Sequence, residues 1–116
     1  SQQAVKSEGF EIFLAVDVSE SMLAEDLRPS RLEKAKIDLN RLVDNLGGHR
    51  IGIIAFAGSA VVISPLTQDI AAVKMYIDSL DTQTISSQGT NFESALNAAE
   101  QAFERGGVGG EDTSSV

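Results

Sequence analysis

Asp17, Ser19 and Ser21 set one carboxylate and two hydroxyls at alternate positions of a short stretch, Val16-Asp17-Val18-Ser19-Glu20-Ser21. A backbone that turns there can aim all three at one point. Oxygen-only ligation by a carboxylate, hydroxyls and water is the chemistry of a hard divalent cation such as Mg²⁺. The same residues also suit a turn that caps itself through side-chain hydrogen bonds. Taken by themselves, the residues leave both readings open.

What precedes the stretch must position it. Residues 10–16 read Phe-Glu-Ile-Phe-Leu-Ala-Val, apolar on both alternating faces except for Glu11. That pattern predicts a strand buried on both sides, as at the centre of an α/β sheet. Ligands of open α/β sheets bind just beyond the carboxyl ends of such strands, which is where Asp17, Ser19 and Ser21 fall.

Further along, Ser30 and Glu33 match the capping box that opens a helix. Leu32, Ala35, Leu39, Leu42, Val43 and Leu46 form its apolar stripe, with Ile37 on the opposite side, and Gly47-Gly48 ends it. Arg50 to Phe56 is a second buried strand, so strand, helix and strand make a right-handed βαβ unit with parallel strands. The three-residue link Ala57-Gly58-Ser59 allows only a hairpin, so a third strand, Ala60 to Ile63, runs antiparallel, with Pro65 at its end on a sheet edge. A second helix is predicted from Asp69 to Leu80. Asp81 to Gly89 is a polar loop. A third helix begins at about Asn91, with Thr90 and Glu93 as a second capping box and Phe92, Ala95, Leu96, Ala99 and Phe103 as its apolar face.

The fold class is therefore α/β, a Rossmann-like open mixed sheet in the order β-α-β-β-α-α. The domain is expected over 1–105 and a flexible Gly-rich tail over 106–116. The strand order 3-2-1 leaves strand one at an edge although it reads as a central strand. We therefore expect a fold that is truncated here, or completed by a partner or by exchange between copies, and self-association through the exposed strand-one edge.

Composition narrows the function. At 116 residues the chain is one domain at most, with 42% apolar residues. A formal charge of −8 argues against nucleic acid and anionic membrane surfaces as partners. The absence of cysteine excludes disulfides, thiolate catalysis and cysteine-held metals. Ile51 to Ile63, the longest near-apolar run, is too short to span a bilayer. The opening residues are no signal peptide, 1–8 read as a polar lead-in, and a chain starting at Ser1 is expected to be processed or cut from something longer.

The stretch from Asp17 to Met22 resembles the first motif, DxSxS, of the von Willebrand factor A domain, which opens its metal-ion-dependent adhesion site. The resemblance continues through Pro29-Ser30-Arg31-Leu32, Arg50-Ile51-Gly52-Ile53, Phe56-Ala57-Gly58, Pro65-Leu66-Thr67-Gln68-Asp69 and Gly89-Thr90-Asn91. It covers about residues 8 to 105, and together these motifs resemble the bacterial membrane-associated A domains of the aerotolerance (Bat) type, encoded near MoxR-type AAA+ ATPases. It implies a metal site in which Ser19 and Ser21 ligate directly, Asp17 acts mostly through water, and Thr90 joins from a second loop. The implied ion is Mg²⁺, or Mn²⁺ or Ca²⁺ in its place. The implied role is docking a protein partner's acidic side chain, in a soluble domain that faces the periplasm from a membrane-anchored parent. The family's third-loop aspartate and its further strands have no counterpart here. Asp112 follows no strand and is not assigned that role, so weaker metal binding is expected.

An enzyme is the competing class. Haloacid dehalogenase-type phosphatases also hold a nucleophilic aspartate just after a buried strand. They need a second aspartate two residues on, where this chain has Ser19, which cannot transfer that proton at neutral pH. A Ser-His-Asp triad would have to use His49, at the wrong end of the sheet for Asp17. Glu20 and Asp26 read as solvated loop charges. A third reading is a structural fragment whose polar turn holds no ligand. Non-enzymatic docking is the expectation carried forward.

Overall fold

A computed structural model describes residues 9–110. Its elements are β1 (Glu11–Asp17), a single 3-10 turn (Glu20–Leu23), α1 (Arg31–Asp44), β2 (Arg50–Phe56), β3 (Ala60–Thr67), α2 (Ile70–Ser79) and α3 (Phe92–Glu104). The sheet order is β1-β2-β3. β1 pairs in parallel with β2 and places Asp17 beside Phe56, while β2 and β3 are antiparallel. The α/β class, the order of elements and the mixed open sheet agree with the sequence reading.

The sheet is covered on both faces. Val16, Ile51, Ile53 and Ala55 on one face pack with Leu32 and Val43 of α1 and with Val73 and Ile77 of α2. Ile54, Phe56 and Ala60 on the other pack with Ala95 and Ala98 of α3. From Ile51 to Phe56 every residue is buried, as expected of a strand with helices on both sides. Gly52 is required there: a Cβ on it would stand 2.3 Å from the Phe13 ring and 2.8 Å from the Ser64 carbonyl oxygen. Among the described residues no helix is long and apolar enough to cross a membrane.

Several local expectations need correction. β3 runs on to Thr67, and Pro65 lies inside it rather than at its end. The pairing register shifts between Ile51 and Ile54, and Pro65 falls at this irregularity, between the partners Ser64 and Thr67, where a strand tolerates a missing ladder donor. Leu42, placed on the buried stripe of α1, is exposed, whereas Leu32 and Val43 carry the contact. α3 buries Ala95, Ala98 and Ala102 and leaves Phe92, Leu96 and Phe103 exposed. Small side chains bring the α3 backbone close to the sheet. The large ones flank the contact, and Phe103 meets Phe13 of β1 edge-on with ring centroids 5.1 Å apart.

The two sheet edges differ. Along β3, the Leu66 N–H donates to the Gly107 carbonyl at 2.9 Å, and Gly109 lies against Val62. The expected Gly-rich tail thus begins alongside β3, and its remainder, 111–116, lies outside the described residues. Along β1 no such strap is present among the described residues, and only Val16 of its seven residues is buried.

The start of α3 also corrects the expected capping box. The cap is Asn91, whose side chain accepts from the Ser94 N–H at 3.0 Å, so Thr90 lies one residue upstream of it. Ser30 does cap α1 and accepts from the Glu33 N–H at 3.1 Å. Asn91→Ala should therefore cost about 1 kcal/mol of stability in urea denaturation. Thr90→Ala should cost less than half of that, and the reverse ranking would restore the Thr90 cap.

Candidate metal centre

β1 delivers Asp17 to the carboxyl edge of the sheet, and the chain turns at once. The Asp17 Oδ1 accepts from the Ser19 N–H at 2.9 Å, a local bond that bends the backbone after an aspartate. The Met22 N–H then donates to the Ser19 carbonyl at 2.9 Å. This sequence of bonds puts Ser19 and Ser21 on the same side, with their Oγ atoms 3.0 Å apart.

Thr90 arrives from the loop before α3, and its Oγ1 donates to the Ser19 Oγ at 3.3 Å. Freed from capping α3, this hydroxyl is available to the cluster. All four sequence-predicted residues, Asp17, Ser19, Ser21 and Thr90, therefore meet at one end of the sheet. Ser19 is buried at the base of the cluster, Asp17 is half-buried, and Ser21 and Thr90 are exposed. The two readings left open by the sequence coexist: the turn caps itself through Asp17 while its hydroxyls converge.

The donor set can be tested against a cation. Adjacent oxygens around Mg²⁺ at 2.0–2.1 Å would stand about 2.9 Å apart in octahedral geometry. The observed spacings of 3.0 and 3.3 Å are of that order, so donor type and spacing both fit. Among the described residues no group of three or more His, Asp and Glu side chains is placed to hold a metal. A cation here would therefore depend on the neutral hydroxyls. Asp112 lies outside the described residues.

Neighbouring charges are committed elsewhere or solvated. Glu20 is exposed. Asp26, expected to be a solvated charge, is held by Arg31 through two bonds of 2.7 and 2.8 Å. The guanidinium holds the Asp26 carboxyl below the usual carboxylate range. His49 precedes β2, at the sheet end opposite Asp17. Its Nδ1 accepts from the Phe10 N–H at 2.9 Å, and the two rings stack. With strands of seven residues between them, about 20 Å of sheet separates His49 from Asp17, and no triad forms.

Sequence reasoning missed the residues that hold the two loops together. The Val18 N–H donates to the Phe56 carbonyl at 2.9 Å, and the Asn91 N–H to the Ala57 carbonyl at 2.7 Å. The hydroxyls of Ser59 and Ser87 lie 2.7 Å apart. None of these contacts leaves a periodic or short-range signal. Only the shortness of the 57–59 link hinted that β2 ends against something close.

Comparison with known proteins supplies a context for this geometry. Residues 12–114 match the von Willebrand factor type A domain. A UPF0353 protein of Mycolicibacterium paratuberculosis is 38% identical over 88 residues, which are 75% of this chain and 26% of that relative. The structure of BatB from Bacteroides thetaiotaomicron superposes with a TM-score of 0.79 at 46% identity, over 82% of this chain and 46% of that one. An aerotolerance-related membrane protein from Bacteroides fragilis gives a TM-score of 0.77 at 43% identity, over 82% and 47% of the two chains. The chain thus spans about a quarter of the curated relative and just under half of each solved structure.

Proposed function

The chain belongs to the von Willebrand factor type A domain family, and from that premise we propose that it docks a protein partner's acidic side chain through a divalent cation held by Ser19, Ser21 and Thr90. The observation that carries this reading is the convergence of three hydroxyls from two separate loops, 3.0 and 3.3 Å apart, at the carboxyl edge of the sheet. The first-choice ion is Mg²⁺, with Mn²⁺ or Ca²⁺ as substitutes.

Each residue has a distinct part. Ser19, buried at the centre, fixes the position of the other two donors. Ser21 and Thr90 present their oxygens toward solvent, where a partner can approach. Asp17 shapes the turn through Oδ1 and keeps Oδ2 to orient water. The bound ion would supply an electrophilic charge for a partner's carboxylate, since neutral hydroxyls cancel none of it. The chain's own net charge of −8 opposes an approaching carboxylate without such an ion. In this reading the site is a docking point rather than a reaction centre.

The likeness to BatB and to an aerotolerance-related membrane protein supports a wider setting. We place the domain in a membrane-anchored parent, facing the periplasm and working with a MoxR-type AAA+ ATPase system. The β1 edge, unpaired among the described residues, is a second proposed contact surface. In the 116-residue chain on its own, a second copy pairing along β1 is the proposed occupant.

Two measurements follow. Mg²⁺ or Mn²⁺ should raise the melting temperature in a concentration-dependent way, by the equivalent of about 2.7 kcal/mol at a hundredfold excess over Kd. Ser19→Ala should abolish the rise, and a wild type that gives no rise with either ion contradicts the reading. Sedimentation at micromolar concentration should show a dimer that Ala15→Lys, at an exposed position of β1, returns to monomer. A monomeric wild type would refute edge pairing.

A further inference from the structure

The two halves of the hydroxyl cluster come from loops far apart in the chain, with Thr90 71 positions after Ser19. Both loops are tied to one four-residue piece, Phe56 to Ser59. The Phe56 carbonyl takes the Val18 N–H, next to Ser19. The Ala57 carbonyl takes the Asn91 N–H, next to Thr90. The Gly58 N–H donates to the Ser87 carbonyl at 3.0 Å, and the Ser59 and Ser87 hydroxyls pair at 2.7 Å.

The fit around this piece is tight. A Cβ on Gly58 would stand 2.1 Å from the Gln88 carbonyl oxygen and 3.0 Å from the Ser87 carbonyl carbon. Both are backbone atoms, which cannot swing aside as a side chain can. Gly89, with φ of +107°, turns the chain there, and a Cβ on it would lie 3.9 Å from the Gly58 Cα. Ser59 is buried and Ser87 half-buried, so their hydroxyl pair is partly shielded from competing water.

We propose that Gly58, Ser59 and Ser87 are positioning residues of the metal site, setting the gap between its two loops without being among its donors. The proposal rests on the metal-docking reading and adds a claim about what tunes it. The Ser59–Ser87 pair holds the 87–91 segment against the hairpin turn. Through the Asn91–Ala57 bond this places Thr90 within reach of Ser19. Loosening the pair lets Thr90 retreat, so an ion would keep the donors of the first loop and lose the one from the second.

The test uses the full chain and Mn²⁺ as the probe, with Kd measured by electron paramagnetic resonance. Ser59→Ala and Ser87→Ala should each weaken binding about fivefold, the worth of one shielded hydrogen bond. The double variant should be no weaker than either single one, because both remove the same bond. Ser87→Thr, which keeps a hydroxyl, should restore binding. Gly58→Ala should weaken it further, and if that variant fails to fold the serine variants carry the test. Unchanged Kd in the serine variants, with only a lower metal-free melting temperature, overturns the proposal. If the wild type binds no Mn²⁺ the docking reading fails, and the Asn91 amide decides the positioning claim by hydrogen exchange. Faster exchange in Ser59→Ala supports the claim, and an unchanged rate overturns it.

Discussion

Two backbone carbonyls at the end of β2 hold the candidate site together. Those of Phe56 and Ala57 accept the amides of Val18 and Asn91 at 2.9 and 2.7 Å. Each bond fastens one donor-bearing loop, so the Ser19–Thr90 separation depends on how rigidly β2 is held. That rigidity comes from burial. Ile51, Ile53, Ile54 and Ala55 are fully buried, between α1 and α2 on one face and α3 on the other. A close-packed strand of this kind tolerates little displacement. Moving either carbonyl would disturb the core as well as the site.

The architecture up to α2 was readable because its signals are local and strong. The apolar runs of β1 and β2 mark buried strands, Ser30 marks the start of α1, and a three-residue link leaves only a hairpin. The start of α3 near Asn91 was readable, but its capping residue was not, for a physical reason. Thr90 with Glu93 and Asn91 with Ser94 are both sound capping patterns, one residue apart. The choice between them is made by the Ala57 carbonyl, which takes the Asn91 N–H and seats that residue at the cap. The apolar face of α3 misled for a related reason. Periodicity marks Phe92, Leu96 and Phe103, but close packing against the sheet selects the alanines between them. The Ser59–Ser87 pair joins residues 28 apart and lies beyond any short-range pattern.

The edge problem seen in the sequence survives in the structure. β1 reads as a central strand yet stands at the end of the order β1-β2-β3. Phe13 and Ala15 there adjoin Phe92 and Leu96 of α3 along an open apolar groove. β3, by contrast, carries Pro65 and is met by Gly107. The site is separate from the lateral edge of β1: its donors lie at the carboxyl end of that strand, past Asp17.

The central claim is that a divalent cation sits among Ser19, Ser21 and Thr90. Paramagnetic broadening of amide signals by substoichiometric Mn²⁺ tests it most directly, since the effect falls steeply with distance from the bound ion. The account predicts broadening confined to the amides of residues 17–22 and 89–91. Broadening centred instead on the acidic surface around Asp38, Asp44 or Asp78, with the two loops unaffected, would contradict it.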